Sequence, residues 1–255
     1  MASTEDKFYR ARVVERTDIA PDLWKVRLQP EGPFSFVAGQ YATLGVETPQ
    51  KVVERAYSIV SSPYEDQLEI FFELVPAGEL TPLLYKLQTG ADLRMRRIAK
   101  GRFTVDLQSG HTKHLLLCTV TGVAPFVSYI RSFYRDWKES RFAGAHHFYL
   151  IDAGSRSWEL GYREELERVA AKVPWFTYIP SVSRPWEDSA WHGEVGRVED
   201  LIRKYTDQWE MSAENTTGYL CGHPQMIEHG EGILKRRGFP DASLRHEIYW
   251  IPAKS

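Results

Sequence analysis

Cysteine is nearly absent from this chain of 255 residues: there are two, Cys118 and Cys221, each inside an apolar run and neither in a CxxC pair. Zinc ribbons and in-chain iron–sulfur clusters need closely spaced thiolates, so both are excluded. A disulfide framework goes with them, and a reducing compartment follows. The eight histidines lack metal-site spacing. His146 and His147 are adjacent and would face opposite sides of a strand, while His223 and His229 do not share a helical face, so no metal centre is expected. Long hydrophobic runs are missing too. No stretch reaches the roughly 18 apolar residues of a membrane span, and "MASTEDKFYRARVVERTD" contains no apolar leader core. Neither sign of charge dominates, because the net charge is −2, which removes the bulk attraction that nucleic-acid binders rely on. The expectation is a soluble, cytoplasmic, monomeric protein.

The remaining composition is that of a folded globular protein, 43% hydrophobic and 26% charged. Aromatics reach 13%, which suits stacking on rings as well as filling a core. Up to about residue 109, short segments rich in β-branched and aromatic residues alternate with Gly and Pro: "FYRARVVERTD", "LWKVRLQP", "GQYATLGV", "VVERAYSIVSS" and "QLEIFFELV". They predict an antiparallel β-barrel, interrupted by one short helix in "GELTPLLYKLQTG". From residue 110 the pattern changes to apolar runs alternating with amphipathic segments: "KHLLLCTV", "HHFYLIDAG", "WFTYIPSVS" and "TGYLCG", each followed by helical spacing. That alternation predicts an α/β domain with a parallel sheet. Two domains are expected, 1–109 and 110–255. Ligands of such sheets bind at the carboxyl ends of the strands, so the loops after those runs are the ones to read.

"TVTGVAPF" places Gly122 at a tight turn ahead of a helix whose amide groups can receive a phosphate. It lacks the GxGxxG fingerprint, and it also reads as a plain βα connection. "DAGSRSWELGY" carries Arg156, "SVSRPW" carries Ser183 and Arg184, and "VGR" carries Arg197. Singly, these arginines read as solvated. Together at one sheet edge they form a cationic pocket suited to the 2′-phosphate that separates NADP from NAD. An NAD site would present a carboxylate instead, and Glu159 and Asp152 lie close in sequence. In "LCGHPQM", Cys221 and Gly222 give either close access to a ring or a buried thiol beside a helix-leading glycine. In "ERAYSIVSSP", Arg55 and Tyr57 alternate with Ala56 and Ser58 along a strand, putting a cation and an aromatic plate on one side. "RMRRIAKGR" is a basic stretch that reads as a docking surface, a solvated strand rim or part of a cofactor site.

In order along the chain, "RAYSIVSSP", "GELTPLL", "TVTGVAPF", "SRP", "GR", "CGHPQM" and "HEIYW" resemble the motifs of one family, the bacterial-type ferredoxin/flavodoxin–NADP(+) reductases. The resemblance implies FAD and NADP(H) as cofactors. Arg55 and Ala56 would then lie at the FAD pyrophosphate, Tyr57 against the flavin, and Ser58 near its N5 edge. Leu80, Thr81 and Thr121 would support the pyrophosphate side. Tyr249 would cover the other flavin face and act as a gate, and Trp250 would stack near the adenine. Thr119, Gly122, Cys221 and Gly222 would receive the nicotinamide nucleotide, with Arg156, Ser183, Arg184 and Arg197 on its 2′-phosphate. Ser58, Tyr249 and Cys221 would set the geometry of hydride transfer. The implied activity moves a hydride between NADPH and FAD and single electrons to or from a separate ferredoxin or flavodoxin, which "RMRRIAKGR" would meet. The competing readings are a free-flavin or diaphorase-type reductase and a non-catalytic flavin-binding module. Val120 stands where the family has a glycine, which implies weaker nucleotide binding or altered NADP/NAD discrimination.

Overall fold

The computed structural model describes residues 7–248, so Tyr249 and Trp250 lie outside the described residues. The chain divides into two compact units. One runs to Val105 and takes in Val127–Ser132; the other comprises Asp106–Phe126 and the chain from Phe133 onward.

The first unit is an antiparallel sheet of β1 (Phe8–Ala20), β2 (Leu23–Pro30), β3 (Tyr41–Glu47), β4 (Val52–Ser58), β5 (Leu68–Glu73) and β6 (Asp92–Arg96). Their order is β4-β3-β6-β1-β2-β5. Alternation drives it: Trp24, Val26 and Leu28 on β2 are buried on one face, as are Ala42 and Leu44 on β3. β4 and β5 form the two edges of the ladder, yet the Tyr57 ring on β4 meets Phe72 on β5 edge-on at 4.7 Å. Trp24 stacks on the same Phe72 at 5.2 Å. The sheet therefore curls and closes through aromatic side chains, as the predicted barrel requires. β6 lies in the middle of the sheet, with Leu93 and Met95 turned into the core. The basic stretch thus begins on a central strand and not on a rim.

The helix expected in "GELTPLLYKLQTG" is one short turn, α1 (Thr81–Tyr85), with Pro in its first turn. Leu80 and Leu84 anchor it to the barrel core. Arg16 donates to the carbonyls of Tyr85 at 2.6 Å and Leu87 at 2.8 Å, satisfying groups the end of so short a helix leaves open.

The second unit is a parallel sheet in the order β10-β9-β8-β7-β11-β12. Its strands are β7 (Lys113–Thr119), β8 (His147–Gly154), β9 (Phe176–Val182), β10 (Glu194–Val195), β11 (Thr216–Gly222) and β12 (Leu244–Ile248). Helices α2 (Ala124–Lys138), α3 (Arg163–Ala170), α4 (Val198–Gln208) and α5 (Pro224–Arg236) connect them. Strands covered on both faces read as continuous apolar runs, and every residue of β11 is buried. From β7 the order proceeds through β8 and β9 on one side and jumps to β11 on the other. The topological switch therefore falls between β7 and β11, where Cys118 and Cys221 are register partners. Among the described residues no helix is long and apolar enough to cross a membrane.

Candidate functional site

In the first unit the site is built on the end of β4. Arg55 is exposed, Tyr57 half-buried and Ser58 buried, with Ala56 facing out. Burial pushes the Tyr57 phenol well above its ordinary range, so its ring serves as a neutral plate. Arg55 donates to Glu79 at 2.9 Å, and Lys51 donates to the other oxygen of the same carboxylate at 2.6 Å. Those two cations hold Glu79 below the usual carboxylate range. Two cations converging on one anionic centre form a donor set that fits a pyrophosphate. The Thr81 hydroxyl accepts from the Val75 amide at 3.0 Å and donates to its carbonyl at 3.2 Å, so it closes the loop ahead of α1. Leu80 points into the core. Lys51 and Glu79 were not legible as site residues; the available signal was the charge pair flanking the motifs that hold Arg55 and Thr81.

In the second unit the site lies at the carboxyl ends of β7 and β11, where open parallel sheets bind ligands. Thr119 leads into a tight 3₁₀ turn, Val120–Val123, and then into α2 with Pro125 in its first turn. A Cβ on Gly122 would come within 2.7 Å of the Gly222 Cα, and a Cβ on Gly222 within 2.9 Å of the Thr119 carbonyl. Only glycine fits at either position. The two glycines, both buried, let the β7–α2 turn and the end of β11 pack backbone against backbone at the head of α2. The Thr119 hydroxyl accepts from the His223 amide at 2.9 Å, pinning β7 to the start of α5. Val120 adopts φ 47°, a left-handed conformation that is a genuine outlier for a β-branched residue. Thr121 sits in that turn, half-buried. Cys221 is fully buried, so it offers the site its backbone and not its thiol.

Asp152, near the candidate pocket in sequence, is fully buried in the sheet. It accepts from the Tyr178 hydroxyl at 2.8 Å and from the Cys118 thiol at 3.3 Å. Burial raises its pKa to about 6, against the lowering effect of those two hydrogen bonds. It is therefore not placed to meet a ribose. Of the candidate arginines, Arg156 and Arg184 meet on one carboxylate, Glu187. Arg156 donates through Nε to Glu187 at 2.7 Å, makes a second contact with it through Nη2, and donates through Nη1 to Glu159 at 3.2 Å. Arg184 faces the other oxygen of Glu187 at 3.6 Å. Ser183 is half-buried between β9 and these groups, and Arg197 is exposed at the start of α4. Glu187 went unread in the sequence, although its i,i+3 spacing from Arg184 was visible in "SRPWED".

Residues 10–104 match the oxidoreductase FAD-binding domain and residues 116–231 the oxidoreductase NAD-binding domain. Over 219 residues the chain is 31% identical to a ferredoxin–NADP reductase of Pseudomonas aeruginosa, covering 80% of each. The chain belongs to the ferredoxin–NADP reductase family. It is an oxidoreductase whose cofactors are FAD and NAD(P)(H). It is also 31% identical to the phenol hydroxylase P5 protein of Acinetobacter pittii, covering 94% of this chain but 65% of that protein. The structure of a ferredoxin NADP+ reductase from Neisseria gonorrhoeae with bound FAD and NADP superposes with a TM-score of 0.83 over 96% of this chain and 99% of that one. At 24% identity that superposition speaks for the shared fold.

Proposed function

We propose that this reductase exchanges a hydride between NADPH and FAD, and single electrons between FAD and a separate carrier of the ferredoxin or flavodoxin class. Bound FAD supplies the switch between two-electron and one-electron chemistry. The observation that carries the reading is the topological switch between β7 and β11, where the Gly122 turn packs against Gly222 and leads straight into α2, the place at which open parallel sheets bind nucleotides. Arg55 and Lys51 neutralise the FAD pyrophosphate, Tyr57 lies against the isoalloxazine, and Ser58 sits at its N5 edge. The roles expected of Tyr249 and Trp250 fall outside the described residues. Arg156, Ser183, Arg184 and Arg197 read the 2′-phosphate.

A separate carrier fits the chemistry because both cysteines are buried and outside any disulfide, and the described residues hold no cluster able to ligate a metal. The basic stretch from Arg94 to Arg102 is the docking surface for an acidic partner. Arg94 and Arg96 pair with Glu47 and Glu54, whereas Ile98 is 70% exposed. The reducing cytoplasm is the expected compartment. A second reading, in which the electrons go to an oxygenase component, is favoured by the match to the phenol hydroxylase P5 protein along 94% of this chain. Anaerobic titration of the FAD-loaded protein with NADPH and NADH tests the first half: the flavin spectrum should bleach at low NADPH, and a spectrum that neither nucleotide changes overturns it. Turnover with ferredoxin, with flavodoxin and with free flavin then decides the acceptor. Saturable reduction of a carrier protein supports the proposal, and activity with free flavin alone replaces it with a diaphorase.

A further inference from the structure

The arginines assigned to the 2′-phosphate are not equivalent. Arg156 is held by two carboxylates: by Glu187 through Nε at 2.7 Å and again through Nη2, and by Glu159 through Nη1 at 3.2 Å. Arg184 faces the second oxygen of the same Glu187 at 3.6 Å. Glu187 thus bridges two guanidinium groups in the way a phosphate would, from a short 3₁₀ turn, Pro185–Glu187, immediately after Arg184. Glu159 is fixed from behind, since its other oxygen accepts from the Ser155 amide at 2.7 Å. It cannot leave Arg156 without losing that bond. Glu187 makes only its arginine contacts among those described, and its side chain is 34% exposed, so it is free to swing outward.

A dianionic 2′-phosphate entering this pocket must either displace Glu187 or sit beside its charge, and both weaken binding. A ribose 2′-hydroxyl has no such conflict and can donate to a carboxylate. We propose that Glu187 is the specificity-determining residue of this pocket: it competes with the 2′-phosphate for Arg156 and Arg184 and so lowers the preference for NADPH over NADH. This rests on the reading of the β8, β9 and β10 loops as the nucleotide site.

The test compares two probes that differ only in the 2′-phosphate, 2′,5′-ADP and 5′-AMP, by titration calorimetry on the full FAD-loaded chain. Glu187→Gln keeps the shape and removes the charge. It should tighten 2′,5′-ADP about tenfold, while 5′-AMP stays within about twofold. Glu187→Ala should move in the same direction, which excludes an effect of the introduced amide. If Arg184→Ala weakens 2′,5′-ADP but both Glu187 variants bind it as the wild type does, the arginines work and Glu187 is no competitor. If Arg184→Ala and Arg197→Ala both leave 2′,5′-ADP unchanged, the nucleotide reading itself fails and the proposal falls with it.

Discussion

Glu79 and Asp152 are two carboxylates whose surroundings drive them in opposite directions. Glu79 is exposed and held ionised by Lys51 and Arg55, the two cations proposed for the FAD pyrophosphate, so on that proposal FAD has to take them from it. Glu79→Gln should therefore tighten FAD binding by about tenfold, read as quenching of flavin fluorescence by the apoprotein; an unchanged dissociation constant means Glu79 swings aside at no cost. Asp152 is fully buried, and its folded pKa of about 6 lies above the ordinary 3.8. A raised carboxyl pKa means the folded state holds the proton more tightly. The stability it contributes is complete below about pH 4 and lost as pH rises through about 6. Relative to Asp152→Asn, the wild type should lose on the order of 2 kcal/mol between those limits. Urea unfolding of both proteins from pH 4 to 7 measures this, and parallel curves would show Asp152 to be uncoupled from folding.

At the scale of the element, the β7–α2 turn concentrates the constraints. Val120 at φ 47° carries strain of about 1–2 kcal/mol. Glycine would release it at a chain-entropy cost of about 0.5–1 kcal/mol. Val120→Gly should thus leave unfolding stability unchanged or raise it by up to about 1 kcal/mol, whereas a drop in the urea midpoint would mean the valine side chain packs well enough to offset its backbone. Gly122→Ala acts the other way. Its methyl would run into the Cys221 carbonyl and the Gly222 Cα, both rigid backbone. The expected loss is about 1–3 kcal/mol, together with weaker 5′-AMP binding; wild-type values for both would show that β7 and β11 can part. The turn was legible in "TVTGVAPF" as a glycine before a helix. Its left-handed valine was not, because φ at Val120 is imposed by how the strand end must reach α2, and nothing local announces it.

On the scale of the whole chain, a helix is shared between the two units. Val127–Ser132 of α2 clusters with the barrel. Ser128 donates to the Ser61 carbonyl at 2.7 Å, Tyr129 donates to the Phe103 carbonyl, and Arg131 pairs with Glu69 at 3.3 Å. A fragment of residues 1–109 lacks all three partners and leaves Glu69, 5% exposed, without Arg131. Such a fragment should lack the near-UV circular dichroism of packed aromatics, and one extended through α2 to residue 139 should regain part of it. A cooperative unfolding transition in the shorter fragment would show the barrel to be self-sufficient. The sequence reading placed the change of pattern near residue 110, because periodicity changes there; where the compact units divide is a matter of packing.

Local chemistry was enough for the class of each half, since strand alternation, apolar runs and amphipathic spacing are properties of neighbouring residues. The candidate positions of Arg55, Tyr57, Gly122, Gly222, Arg156 and Arg184 were likewise readable from short motifs. Tertiary structure alone decided what those groups face. Glu79 lies across Arg55, Glu187 bridges Arg156 and Arg184, Asp152 turns into the sheet beneath Cys118 and Tyr178, and Gly122 meets Gly222 from a strand about a hundred residues later. Charge pairing and close backbone approach depend on distances in space, and those are set only when strands distant in the chain come into register.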